Sequence, residues 1–239
     1  GGPGRASRPA WKRPCAGICF GFDEKFAQEQ LIPYFREILG CNSQSYVDRN
    51  DVVQIATEKN SAIEKLKRLG FKGGKAPHKE LPSYLLTADE KVIRAYLGGL
   101  FSADGGVAKS RRRVQLTSAS PKLIKQVQLL LLNLGIISRI SKSSNDERVW
   151  YDLAINGEHY DTYAKLIGFP LSPAKQELMI FKLGKSLRKR KVIETSRVRS
   201  VVPAGFSEVY DITEPETHSL IANGIVVHNC NLGSINLSR

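Results

Sequence analysis

Residues 95–106 read AYLGGLFSADGG. Val92, Ile93, Tyr96, Leu97 and Leu100 recur at helical spacing. Two adjacent glycines interrupt that stripe, and Asp104 stands at its end. Glycine inside a helix costs about 1 kcal/mol relative to alanine, and a carboxylate is disfavoured at a helix C-terminus. Adjacent glycines also remove the side chains that hold two helices apart. Two such helices packed backbone to backbone through Gly98 and Gly99 would bring two C-terminal acids together. Those carboxylates repel, and a divalent cation between them removes the penalty. The same cation can activate water against a phosphodiester and stabilise the leaving oxygen. The plainer alternative is a buried helix leading into a glycine-rich turn.

The surrounding punctuation repeats. Thr87-Ala-Asp-Glu90 reads as a capping box, with Thr87 as N-cap and Glu90 in the third helical position. After Gly105-Gly106, VAKSRRRVQLTS alternates like a strand, with Lys109, Arg111, Arg113, Gln115 and Thr117 on one face. Ser120-Pro121 opens a second helix that closes at Gly135. Residues 136–142 and 148–155 predict a hairpin, and a final helix ends at Gly168-Phe169. An earlier stretch has the same plan: a helix from Asp23 to Gly40, a hairpin over 43–57, and a helix ending at Gly70-Phe71. The Leu-Gly marks lie 95 residues apart and the Gly-Phe marks 98, which points to an internal duplication. A first-copy counterpart of Asp104 belongs near residue 9. Residues 1–22 hold no acid and no helical pattern, so the first copy is expected to lack its opening helix.

The net charge of +13 favours a polyanionic partner, most often nucleic acid. No apolar run is long enough for a membrane span. Cys15, Cys19, Cys41 and Cys230 show neither zinc spacing nor a disulfide framework, which fits a cytoplasmic protein. Residues 1–14 are basic and rich in Gly and Pro, without the layout of a signal peptide. The charge shifts near residue 195, from nine Lys or Arg against two Glu in 175–200 to one Arg against four acids in 201–239. Leu187-Arg-Lys-Arg-Lys191 reads as a linker with incidental phosphate contact.

Leu97-Gly-Gly-Leu-Phe-Ser-Ala-Asp104-Gly105 resembles the LAGLIDADG motif of homing endonucleases. The strand, the QLLLLNLGI helix and the ISRI strand after it are similar to the elements downstream of that motif in intein-borne members. The resemblance covers roughly residues 20–185. It implies an α+β fold, a duplicated αββαββ saddle whose first copy is truncated, gripping the major groove of double-stranded DNA. It implies a metal-dependent (Mg2+ or Mn2+) DNA endonuclease with Asp104 as the metal-binding acid. Ser102 stands where the motif has an earlier acid. The partner carboxylate would come from the first motif, which leaves cleavage by this chain alone in doubt. Homodimerisation through the Gly98-Gly99 face would restore a pair. Lys109, Arg111, Arg113, Gln115, Arg139 and Lys142 are the expected DNA contacts, because Arg and Gln read purines bidentately and Lys holds phosphates.

The tail carries different chemistry. EVYDITEPETHSLIANGIVVHNC, residues 208–230, alternates around Glu-Pro and Asn-Gly turns like a small β module. The Asn229 amide can attack its own carbonyl to give a succinimide and break the peptide bond. An adjacent imidazole can shuttle the proton, and the Cys230 thiol can accept an acyl group. The stretch resembles the C-terminal splicing blocks of inteins, part of a Hint domain. By that resemblance Asn229 cyclises, His228 is the penultimate histidine, and His218 and Asp211 assist from the upstream block. Cys230 opens the downstream extein, and the splicing chemistry needs no cofactor. Residues 230–238 resemble a segment of ribonucleotide reductase large chains, particularly the cobalamin-dependent class.

These readings divide the chain. Residues 1–19 are expected to be disordered or spurious, and 20–85 to be the truncated first repeat. The second repeat spans 86–185, linker and splicing segment 186–229, and extein 230–239. The partners expected are the intein-free host allele as DNA and either a second copy or a separate N-terminal intein half. The alternatives are a non-cleaving DNA-binding relic and a reductase fragment.

Overall fold

In the computed structural model the described residues are 16–21, 23–40, 46–47, 51–73, 75–184, 197–203, 205–206, 208, 219–222 and 225–228. The chain divides into two units, residues 1–187 and 188–239.

The first unit begins with strand β1 (Ala16–Gly21), helix α1 (Lys25–Leu39), strands β2 (Tyr46–Val47) and β3 (Val52–Thr57), and helix α2 (Asn60–Arg68). These strands form an antiparallel sheet in the order β1-β3-β2. Two 3-10 turns, Ala76–His78 and Ser83–Leu86, lead to helix α3 (Glu90–Asp104). Next in the chain are β4 (Gly105–Val107), β5 (Arg113–Ser118), α4 (Pro121–Asn133), β6 (Arg139–Ser144), β7 (Val149–Asn156), α5 (Glu158–Leu166) and α6 (Pro173–Phe181). The second sheet has the order β4-β5-β7-β6. The order β5-β7-β6, with α4 between β5 and β6 and α5 after β7, repeats β1-β3-β2 with α1 between β1 and β2 and α2 after β3. Gly40, Gly70, Gly135 and Gly168, the four marks of the sequence pattern, all have positive φ, between 60° and 81°.

Alternation places Val114 and Leu116 of β5, and Leu153 and Ile155 of β7, on the inner face of the second sheet, all essentially buried. Leu97 and Phe101 of α3, Ile124 and Val127 of α4, Tyr160 and Tyr163 of α5, and Met179 of α6 close over them in one core. The Phe101 and Tyr163 rings meet at 5.1 Å, and Tyr163 and Phe169 at 5.7 Å. The first repeat has a smaller core around Phe20, Ala27 and Val53.

Several local signals hold. Ser120 caps α4 by accepting from the Leu123 N–H at 3.1 Å, and its hydroxyl donates to the Lys79 carbonyl at 2.6 Å. Next to it Glu80 pairs with Lys122 and Lys72. Those hydrogen bonds, Lys122 first, hold its carboxyl down at about 2.

Others do not. The Thr87 capping box does not form: the 3-10 turn before it engages the Thr87 hydroxyl, which donates to the Tyr84 carbonyl. Helix α3 starts at Glu90, after Asp89. The expectation of disorder through residue 19 fails over its last residues, because Ala16–Gly21 is a strand paired with β3. VAKSRRRVQLTS is not one strand. It breaks at residues 108–112, where the buried Lys182 ammonium donates to the carbonyls of Ala108 and Lys109 (2.7 Å for the latter). Helix α6, which the sequence pattern does not announce, supplies Lys175 and leads directly to Lys182.

In the second unit, strands β8 (Ser219–Ala222) and β9 (Ile225–His228) form an antiparallel hairpin on either side of the Asn-Gly pair expected to turn. Asp211, His218, Asn229, Cys230 and the basic run 187–191 lie outside the described residues, as does the side chain of His228.

Candidate nucleic-acid interface

Asp104 is the last residue of α3 and is exposed. Its position is set by Gly105. A Cβ on Gly105 would lie 2.7 Å from the Phe101 carbonyl oxygen, so only glycine lets the chain fold back over Phe101 into β4. The helix therefore stops at the acid. Ser102 is buried, and its hydroxyl accepts from the Leu171 N–H at 3.1 Å.

The end of α3 is not purely anionic. Lys175 donates to the carbonyls of Ser102 (2.6 Å) and Ala103 (3.1 Å), placing an ammonium where the helix dipole favours one. Burial lowers the pKa of Lys175, while the carboxylates of Glu24 and Asp104 oppose that shift. Glu24, at the start of α1, accepts from the Gly21 N–H at 2.7 Å. Among the described residues no group of three or more His, Cys, Asp or Glu comes together that could hold a metal ion. Asp104 and Glu24 beside an ammonium do not complete a divalent-cation site.

The two glycines differ. A Cβ on Gly98 would meet Pro170 Cγ at 2.9 Å, so this glycine packs within its own chain and is not free for a second helix. Gly99 has nothing within 4 Å of such a Cβ, and it opens onto a cavity of about 180 Å3 lined mainly by Ile18, Phe20, Ala27, Leu31 and Leu171. Gly99→Ala is expected to raise stability by up to about 1 kcal/mol, the helix-propensity gain. Gly98→Ala is expected to lose that gain to overpacking, which costs about 1–3 kcal/mol. Thermal unfolding of the two variants checks the contrast, and equal midpoints would contradict it.

The outer face of the second sheet is the other candidate surface. Arg113, Gln115 and Thr117 alternate with the buried residues of β5 and so share this face. The register sets Arg113 opposite Asn156, Gln115 opposite Ala154 and Thr117 opposite Asp152. Arg139 of β6 is opposite Ala154 and joins them. Arg113 Nε donates to Asn156 Oδ1 at 2.9 Å, and Thr117 Oγ1 donates to Asp152 Oδ1 at 2.5 Å.

Three of the expected contacts sit elsewhere. Lys109 and Arg111 lie in the turn held by Lys182, not on the strand face. Lys142 is opposite Tyr151, and with Ile140 it belongs to the other face of β6. Arg112 points away too: it pairs with Asp161 and lies over the Tyr160 ring at 5.2 Å. Nothing in the sequence pattern marks Asp152 and Asn156. Only cross-strand register brings them beside Thr117 and Arg113.

No described helix is long and apolar enough to cross a membrane. Residues 91–168 match the family described as LAGLIDADG-like domain. Over 233 residues the chain is 27% identical to a DNA polymerase of Thermococcus hydrothermalis, covering 92% of this chain and 14% of that protein. Over 198 residues it is 27% identical to the ribonucleoside-diphosphate reductase NrdEB subunit alpha of Bacillus subtilis, covering 69% of this chain and 17% of that protein. The chain thus spans under a fifth of the length of these relatives. The crystal structure of I-DmoI in complex with DNA and Ca matches its fold with a TM-score of 0.51 and 16% identity, over 70% of this chain and 82% of that one. The glycine-bearing helix that ends at Asp104, and the sheet that succeeds it, thus lie within the segment, residues 91–168, that matches the LAGLIDADG-like domain.

Proposed function

We propose that the chain is the C-terminal part of an intein carrying a LAGLIDADG homing endonuclease, and that it binds double-stranded DNA across the outer face of β5, β7 and β6. One observation carries the reading. The same domain presents an open sheet face bearing Arg113, Gln115 and Arg139, and sets an exposed acid, Asp104, at the end of the adjoining helix. The major groove admits a two-stranded ribbon, and these side chains suit purine edges. Lys109 and Arg111, in the β4–β5 turn, suit phosphates. The I-DmoI complex with DNA and Ca supports the reading through its fold.

Strand scission asks for more than Asp104. Mg2+ or Mn2+ would polarise the phosphodiester and lower the pKa of water, with Asp104 as one ligand. The further ligands then come from outside the described residues or from another polypeptide. Gly99 and its cavity are the open part of α3 against which such a segment can pack. In the tail, Asn229 Nδ2 attacks the Asn229 carbonyl carbon. The succinimide forms, the bond to Cys230 breaks, and the Cys230 amino group leaves with a proton. His228, at the end of β9, is next to that bond in sequence.

The second reading is a DNA-binding relic that does not cut. It is favoured by the lack of a cluster of three ligating side chains among the described residues and by the Lys175 ammonium at the end of α3. The purified chain and its Asp104→Asn variant, incubated with Mg2+ and a supercoiled plasmid bearing the uninterrupted reductase gene, separate the two. The endonuclease reading expects nicking by the native chain that Asp104→Asn abolishes without loss of binding. Binding without nicking would leave the relic, and equal nicking by both would remove Asp104 from the chemistry.

A further inference from the structure

A carboxylate on a face that meets DNA needs a reason. Asp152 sits on the outer face of β7, opposite Thr117 and among Arg113, Gln115 and Arg139. Next to phosphates it repels, and it removes charge from a surface whose affinity comes from cations. Its geometry is nevertheless held. Thr117 Oγ1 donates to Oδ1 at 2.5 Å, and among the described residues Asp152 forms no ion pair. One carboxylate oxygen is thus pinned across the ladder, and the other keeps its lone pairs. An ionised Asp accepts and never donates.

In the major groove only the cytosine N4 and adenine N6 amino groups donate. Adenine places the N7 acceptor beside N6, where a carboxylate is repelled. Cytosine presents its N4 donor without a neighbouring acceptor of its own. At the other end of the ladder, Arg113 is tied through Nε to Asn156 Oδ1, which orients the rest of its guanidinium toward acceptors such as guanine O6 and N7. The β5–β7 ladder therefore offers donors at one end and an acceptor at the other, with Gln115, which can be either, between them.

Resting on the DNA-binding reading above, we infer that Asp152, pinned by Thr117, is a specificity-determining residue that selects a cytosine in the target. Arg113 and Thr117 are four residues apart on one strand, which is roughly 13 Å. For a strand lying along the groove, with bases stacked about 3.4 Å apart, the cytosine falls about four base pairs from the guanine that Arg113 reads.

The test is selection from a randomised duplex library by the full chain, by Asp152→Asn and by Thr117→Val, with the recovered sequences compared. The native chain is expected to enrich one cytosine position at which any other base weakens binding about 5- to 150-fold. Asp152→Asn is expected to lose that preference in favour of adenine, with every other position unchanged and no loss of affinity for random DNA. Thr117→Val is expected to weaken the preference at the same position. An unchanged consensus in Asp152→Asn would overturn the assignment while leaving DNA binding intact. So would a consensus altered at many positions, which marks a structural role. A native chain that enriches no sequence would overturn the DNA-binding reading and the assignment with it.

Discussion

Phe101→Ala is expected to destabilise the first unit by about 3–5 kcal/mol, the usual cost of emptying a buried aromatic site. Phe101 is fully buried. Its ring meets Tyr163 at a 60° tilt, Tyr163 in turn meets Phe169, and Tyr163 donates its hydroxyl to the Gly168 carbonyl at 2.9 Å. Burial pushes the Tyr163 pKa well above its ordinary value, so this phenol stays neutral and donating throughout the usual pH range. Collapse around the void is restricted, because Gly105 already rests on the Phe101 backbone from the other side. For a unit of this size the loss corresponds to a drop in melting temperature of roughly 6–20 °C. Calorimetry or denaturant unfolding checks it, and a change under about 1 kcal/mol would mean that the core rearranges around the gap. The substitution also loosens the last turn of α3, so the position of Asp104 is tied to the same core.

Local chemistry makes much of this molecule legible in its sequence. Helix ends marked by Gly40, Gly70, Gly135 and Gly168 need only a left-handed residue, and sequence shows where one is available. The alternation of Val114 and Leu116 with Arg113, Gln115 and Thr117 identifies both faces of β5. The turn that breaks VAKSRRRVQLTS cannot be read this way. It depends on Lys182, more than seventy positions away, whose buried ammonium donates to carbonyls of that turn. Strand β1 is hidden for a related reason: its burial rests on Ala16 and Phe20, separated by a partly exposed Ile18, too weak an alternation to stand out. Gly98 and Gly99 look equivalent in sequence, and only Pro170 distinguishes them. Lys142 falls on the face opposite to Arg139, because the two stand three residues apart on one strand and successive side chains alternate between its faces.

The larger effect concerns DNA. Specific protein–DNA complexes are typically bound about 10^3- to 10^7-fold more tightly than random sequence at physiological salt. Non-specific affinity rests on phosphate contacts alone. The chain is +13 overall, and on the proposed DNA-binding reading that charge alone attracts any duplex, so affinity by itself proves little. On the proposed reading, discrimination is what the face of Arg113, Gln115, Arg139 and Asp152 adds. On that reading, removing Arg113 deletes a purine reader and takes the Arg113 donor away from Asn156. Arg113→Ala is therefore expected to weaken binding to the cognate duplex by about 5- to 150-fold, while affinity for a scrambled duplex falls much less.

The most direct measurement is a titration of the full chain, native and Arg113→Ala, at one fixed salt concentration near physiological. It uses a duplex spanning the uninterrupted reductase site and a scrambled duplex of the same length and composition. A native preference of at least about 10^3-fold that shrinks in Arg113→Ala is the predicted result. Equal affinity of the native chain for both duplexes would contradict the claim that this sheet reads DNA.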